Sequence, residues 1–345
     1  MKRRVSSDEV LHLKLRRLLA QKIYEGTYAD GALLPPERDL ADEHRMSRVT
    51  VRSTLDAMEK EGIISRRQGH GTHVSLTAKA HAGALDICAV IAPAENPFFA
   101  EFIRCFEAAA ERNDTLVVYK AGGARIEDTV FRCYERGIRS AVIWPYDESI
   151  DVPRLARLRG LGMNFVLFDR IVDSNTADFI SVDNAHAIDS LYDRLIEHGA
   201  KHIAYVGWEN DVITSTIERE AAYVRHGVNA VYRLPWRREK SIDTDAIALL
   251  GTLPSSIDAV ICGNGVIGMA VQRASAHARS IVVACVDDLP GASELAITVY
   301  AQPMEVLART AYDRLIEQNT KPRTWKASTI LRKGDIIEHA RRTTP

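Results

Sequence analysis

Apolar residues recur at helical spacing over residues 8–25, where Val10, Leu11, Leu15, Leu18, Leu19 and Ile23 share one face, and Gly26 and Gly31 end the run. Pro35-Pro36-Glu37 predicts a short second helix through Leu40 and Ala41 to about Arg45-Met46. Proline suits a first turn, and a carboxylate suits the positive end of the helix dipole. Ser47 is a suitable N-cap for a third helix, over about 48–61, with Val51, Leu55 and Met58 turned inward and Arg48, Thr50 and Arg52 turned outward. Gly62 stops it. Residues 63–66 and 72–74 are strand-like and bracket Gln68-Gly69-His70-Gly71, a compact glycine-containing hairpin. Three helices followed by a hairpin form a winged helix.

Beyond it the pattern changes. Residues 75–85 lack periodicity and are rich in small residues, as a linker between folded units is. Short apolar runs then alternate with helical segments: 86–92, 116–119, 140–143, 164–168, 203–206, 259–262 and 281–286 are strand candidates, and 98–111 and 185–198 are among the helices between them. Continuous apolar runs, in place of two-residue alternation, imply parallel sheets covered by helices on both faces, an α/β architecture. The expected division is a winged helix-turn-helix domain over 1–77, a linker over 78–85 and an α/β domain over 86–340.

A chain of 345 residues, 46% hydrophobic and 26% charged, is long enough for two or three globular domains. Its net charge of −1 hides an asymmetry: residues 1–77 hold 14 Lys and Arg against 11 Asp and Glu, leaving 31 against 35 for the remainder. The sign is the one a nucleic-acid-binding head needs, though the imbalance is small. The basic start is followed by Val5-Ser6-Ser7-Asp8-Glu9 and no apolar h-region, and no run reaches membrane-spanning length, so a cytoplasmic protein without a membrane partner is expected. The five cysteines are odd in number, widely spaced and mostly set in apolar runs, which reads as buried thiols in a reducing compartment. The histidines and cysteines show no metal-ligand spacing, and neither a metal nor a cofactor is expected. An enzyme is disfavoured too: there is no Gly-x-Gly-x-x-Gly after the first strand, no Gly-Lys-Ser/Thr phosphate loop and no Gly-x-Ser-x-Gly elbow.

A helix entering the major groove needs side chains near its N-terminus that reach base edges, and arginine pairs with guanine O6 and N7 through its fork. Ser47-Arg48-Val49-Thr50-Val51-Arg52 supplies two arginines four residues apart, with Arg38 on the preceding helix placed to hold the DNA backbone. On an isolated helix such a pair is ordinarily a solvated face; here the order of the surrounding elements favours DNA. Leu34-Pro35-Pro36-Glu37-Arg38-Asp39-Leu40-Ala41, Ser47 to Arg52, Glu61-Gly62-Ile63-Ile64 and Arg66-Arg67-Gln68-Gly69-His70-Gly71-Thr72 together resemble the GntR-type winged-helix domain over residues 8–75. The resemblance implies DNA contact by Arg38, Ser47, Arg48, Thr50 and Arg52, with Gln68 and Gly69 at the wing. It also implies a homodimer on double-stranded, pseudo-palindromic operator DNA.

Residues 86–340 resemble, more weakly, the two-lobed periplasmic-binding-protein-like domain of LacI-type regulators. Ala89 to Pro93, Asn96-Pro97-Phe98-Phe99, Val166 to Arg170, Val182-Asp183-Asn184, Gly199 to Gly207, Ala259 to Asn264 and Val286-Asp287-Asp288 carry the likeness in order. It implies a repressor controlled by a small molecule, a sugar or sugar derivative, in the interlobe cleft. The effector residues it points to are Phe98, Phe99, Asp169, Arg219, Asn264, Asp287 and Gln302, with Asp287 accepting from two hydroxyls. Phe99 as core and Asp169-Arg170 as an internal ion pair are equally open readings. The chain departs from the pattern at Asn264-Gly265, where Asn-Asp is usual, and at Ala222, where a glycine is expected, so a ligand other than a simple sugar also stays open. A DNA-binding protein with no effector and a sugar- or nucleotide-processing enzyme with a DNA-targeting head are the competing functions.

Overall fold

The computed structural model describes residues 7–67, 69–76, 85–93, 97–121, 125–145, 150–170, 175–209, 213–236, 241–277, 279–322 and 324–340. Most of the expected linker, and Gln68, lie outside them. The head consists of α1 (Ser7–Glu25), α2 (Glu37–His44) and α3 (Arg48–Lys60), then β1 (Ile64–Arg67) and β2 (Gly71–Val74), which pair antiparallel as the wing. Leu15, Leu19, Ile23, Leu40, Val51, Leu55 and Met58, all buried, form its core, so the inward faces expected from periodicity are the ones that pack. Arg45 closes α2 in the left-handed region, with φ 52°, which turns the chain sharply into α3.

The body has two lobes. The first is a six-stranded sheet in the order β13-β7-β6-β5-β3-β4, parallel throughout: β3 (Ile87–Ile91), β4 (Leu116–Lys120), β5 (Ser140–Ile143), β6 (Asn164–Phe168), β7 (Asp178–Val182) and β13 (Thr329–Arg332). Helices α4 (Pro97–Glu111), α5 (Ile126–Glu135) and α6 (Val152–Gly160) connect its strands. The second sheet runs β14-β12-β11-β10-β8-β9, from β8 (Ile203–Trp208), β9 (Val231–Leu234), β10 (Ala259–Cys262), β11 (Val282–Val286), β12 (Thr298–Ala301) and β14 (Asp335–Glu338). Only β14 is antiparallel to its neighbour there. Helices α7 (Asn184–Glu197), α8 (Thr214–Val224), α9 (Asp243–Thr252) and α10 (Gly265–Ser275) belong to this lobe, while α11 (Met304–Thr320) returns to pack on α4 in the first lobe's core.

The chain therefore passes between lobes at Asp183, at Gln302-Pro303 and at Lys333-Gly334. At the last crossing the Gly334 amide donates to the Tyr300 hydroxyl at 2.6 Å, and a Cβ there would lie 2.0 Å from the Ala301 carbonyl oxygen, so only glycine fits. Parallel strands place the loops that leave their C-terminal ends at the interlobe crevice, where ligands bind in open α/β sheets.

The head is seated on the first lobe. Tyr24 of α1 stacks on Phe131 of α5 with centroids 4.4 Å apart, and its hydroxyl donates to Asp128 at 2.7 Å. Arg157 of α6 donates to the Tyr24 carbonyl at 2.7 Å. Arg16 binds Glu61 of the head at 2.6 Å and the Tyr134 hydroxyl of the lobe at 3.1 Å. Head and lobe residues share one continuous buried cluster.

Candidate DNA interface and effector cleft

The N-terminal turn of α3 presents Arg48, Val49 and Arg52 to solvent, and Val49 is 78% exposed. Ser47 caps the helix, its hydroxyl accepting from the Thr50 amide at 3.1 Å. The same hydroxyl lies 2.8 Å from Thr50 Oγ1, and Thr50 is only 6% exposed. The expectation that Thr50 faces outward is thus corrected: the cap draws its hydroxyl back toward Ser47, and the residue is packed against the head. Arg52 points outward as expected but is held by Glu37, with Nη2 donating at 2.9 Å. At 65% side-chain exposure such a pair is largely screened by solvent, so a phosphate or base can replace it at small cost. Arg38 is 74% exposed beside Asp42, and Gly69 stands at the wing with φ +79° and open space where a side chain would be. Gln68, the other wing residue expected to touch DNA, is outside the described residues. Val49 is the residue that reasoning from periodicity passed over; an exposed aliphatic beside Arg48 suits a thymine methyl.

In the crevice, Asp169 follows β6 and accepts hydrogen bonds from Ser181 of β7 at 3.0 Å and, across the lobes, from Ser215 of α8 at 3.3 Å. It keeps some surface open to the crevice, yet protein surrounds it closely enough that burial dominates and lifts its pKa to about 6. Arg219, the nearby cation, and the two hydroxyls pull against that shift. Asp287, at the end of β11 with φ +79°, is 7% exposed. It accepts from Gln302 at 2.6 Å and from the Gly265 amide, and burial again raises its pKa, against the pull of Arg219.

Arg219 is 5% exposed; its Nε donates to Asn184 Oδ1 and its Nη1 to the Gly263 carbonyl, both at 2.7 Å. Asn184 in turn donates to Glu218 at 2.8 Å. Gly265 has a physical reason for standing where an aspartate was expected: a Cβ there would come within 2.8 Å of Leu289 and 2.9 Å of the Asp287 carbonyl oxygen. Glycine lets α10 begin against Asp287 and aim an amide at its carboxylate.

The other expected cleft residues divide. Asn264 caps α10 by accepting from the Ile267 amide at 3.0 Å, which occupies its carbonyl oxygen. Phe98 and Gln302 line a cavity of about 720 Å³ where α4 faces residues 288–294. Phe99 is 4% exposed and packs edge-on to Trp144 with centroids 4.6 Å apart, the core alternative for this residue. Ser215, Ser181, Asn184 and Trp144 were not expected. A serine carries little signal by itself, and the contact of Ser215 with Asp169 exists only once the two lobes face each other.

Residues 11–74 match the family described as bacterial regulatory proteins, gntR family, and residues 192–338 match the periplasmic binding protein-like domain. The chain joins a gntR-type head to a periplasmic-binding-protein-like body. The head is 35% identical over 65 residues to the HTH-type transcriptional regulator GgaR of Escherichia coli K12, covering 19% of this chain and 26% of that protein. The chain is 38% identical over 82 residues to the Exu regulon transcriptional regulator of the same organism, covering 24% and 32%. The chain thus matches about a quarter to a third of the length of these relatives.

The periplasmic-binding-protein-like body is similar to a LacI transcriptional regulator from a Rhodococcus species, with TM-score 0.63, 18% identity and coverage of 74% of this chain and 97% of that one. The trehalose repressor of Escherichia coli gives 0.62 at 15% identity over 73% and 100%. A complex of the transcriptional regulator CelR with cellobiose gives 0.61 at 16% identity over 95% and 99%. At these identities the likeness is one of fold.

Proposed function

We propose that this protein is a dimeric transcription regulator, acting as a repressor, that binds operator DNA through α3 and the wing and changes its operator affinity when a small polyhydroxylated molecule, a sugar or sugar derivative, occupies the interlobe crevice. The observation that carries the reading is the pairing, in one chain, of an outward Arg48-Val49-Arg52 face with a crevice whose Asp169 and Asp287 carboxylates are aimed between two lobes. Base edges are read by the first. Ligand hydroxyls are natural donors to the second, and the two lobes supply the two states that a ligand needs in order to shift an equilibrium. The domain division at 1–77, 78–85 and 86–340 belongs to this reading, as do the roles of Arg38, Ser47, Arg48 and Arg52 at DNA and of Asp169, Arg219, Asn264, Asp287 and Gln302 at the ligand.

Neutral and charged sugars tested by thermal shift, followed by titration of a promoter fragment with and without the stabilising sugar, test it directly. A sugar that raises the melting temperature and moves operator affinity supports the reading. Operator binding indifferent to every sugar would leave a DNA-binding protein without an effector.

A further inference from the structure

We propose that the interlobe crevice selects a polyhydroxylated ligand carrying no negative charge and rejects sugars that bear a phosphate or a carboxylate, an inference that rests on the effector-gated reading above. Asp169 and Asp287 face the crevice with Arg219 as the cation near both. Their hydrogen bonds come from neutral donors, namely Ser181, Ser215, Gln302 and the Gly265 amide, which orient a negative charge without cancelling it. Burial raises both pKa values in spite of Arg219, and at Asp169 the neighbouring Asp287 adds to the rise.

Arg219 keeps only part of its donor set for a ligand. Its Nε, which has a single hydrogen, is spent on Asn184, and Nη1 already donates to Gly263. The side-on fork, in which a guanidinium grips a carboxylate or phosphate by two parallel bonds, is therefore closed. A hydroxyl needs no fork: it donates to a carboxylate and accepts from a remaining N–H.

The cavity that adjoins Gln302 repeats the bias. The cavity that Phe98 and Gln302 line also carries Glu101, Asp288, Glu294 and Glu305 against Arg104 and His339, with Arg112 behind Glu305 at 3.7 Å. Both bases are already paired, Arg104 with Glu101 at 2.6 Å and His339 with Asp288 at 3.0 Å. An anion placed between the two carboxylates meets their negative potential at close range.

The test uses the full-length protein and matched ligands: D-glucose with D-glucuronate and glucose 6-phosphate, D-galactose with D-galacturonate, D-ribose with ribose 5-phosphate, and trehalose with trehalose 6-phosphate, each by thermal shift and calorimetric titration. Stabilisation by a neutral member, with its anionic counterparts at least tenfold weaker, is expected. Asp287→Asn should narrow that gap, and so should raising the salt concentration, while the ligand-free melting temperature reports that the variant is folded. An anionic member binding as tightly as its neutral counterpart, or more tightly, overturns this inference and leaves the effector-gated reading standing. Silence across neutral and anionic members alike overturns both.

Discussion

Asp169 stays ionised in the folded protein only at a cost, because protein surrounds it and the hydroxyls of Ser181 and Ser215 replace water incompletely. Its folded pKa of about 6 lies above the ordinary carboxylate value, so the folded state holds this proton more readily than the unfolded chain. The cost is absent below the unfolded value near pH 4 and grows as pH rises through 6. Asp169→Asn without ligand should therefore be more stable than the parent at pH 7, by roughly 1–2 kcal/mol once its remaining access to solvent is allowed for, with the difference vanishing near pH 4. Urea unfolding at a series of pH values measures this, and parallel stability curves would refute it. Ligand hydroxyls should favour the ionised form, so affinity for a bound sugar should fall as pH drops below 6. At the other end of the chain, Arg48→Ala should cost about 1–3 kcal/mol and relax preference at one base pair of each half-site, whereas Arg38→Ala should weaken all sequences alike; binding to a set of single-base operator variants separates the two.

Among the elements, α1 does more than its sequence suggested. Its apolar face was legible as the inner face of a small winged-helix domain, and the head, its wing and the alternating strands of the body were readable because each depends on local periodicity and on glycine, proline and capping residues. What local pattern does not carry is a contact made at long range by residues that look solvated. Tyr24 and Arg16 stand outside the apolar set that periodicity picks out in α1, yet they seat the head on the first lobe through Phe131, Asp128 and Tyr134. Thr50 illustrates the same limit at short range: read as outward, it shares the buried stripe of Val51, Thr54, Leu55 and Met58, with its hydroxyl against Ser47. In the crevice the carboxylates and Arg219 were legible from the resemblance, while Ser215 was not, because its role depends on a lobe-to-lobe approach. Truncating Tyr24 to alanine removes a stacked, hydrogen-bonded ring from this seam and should cost about 3 kcal/mol. Calorimetry should then show the head melting apart from the body; a single unaltered transition would mean that the seam does not couple them.

For the molecule as a whole, a head seated on one lobe means that any change in how the lobes face each other also moves α3 relative to the second lobe. A ligand that bridges Asp169 in one lobe and Asp287 in the other has a means of biasing that arrangement, and the coupling to DNA has to be reciprocal. Operator DNA should tighten sugar binding or weaken it by the same factor that the sugar changes operator affinity, which titration of either ligand in the presence of the other would show. Affinity for DNA should also fall steeply with salt, as phosphate contacts by Arg38 and its neighbours require. The most direct test is operator binding followed by fluorescence anisotropy, with and without a saturating neutral sugar found by thermal shift, for the parent and for Asp287→Ala. A change in operator affinity of fivefold or more in the parent, about 1 kcal/mol of coupling, lost in Asp287→Ala while its sugar-free DNA binding is retained, is the predicted result. Superimposable isotherms for the parent at saturating sugar would contradict it.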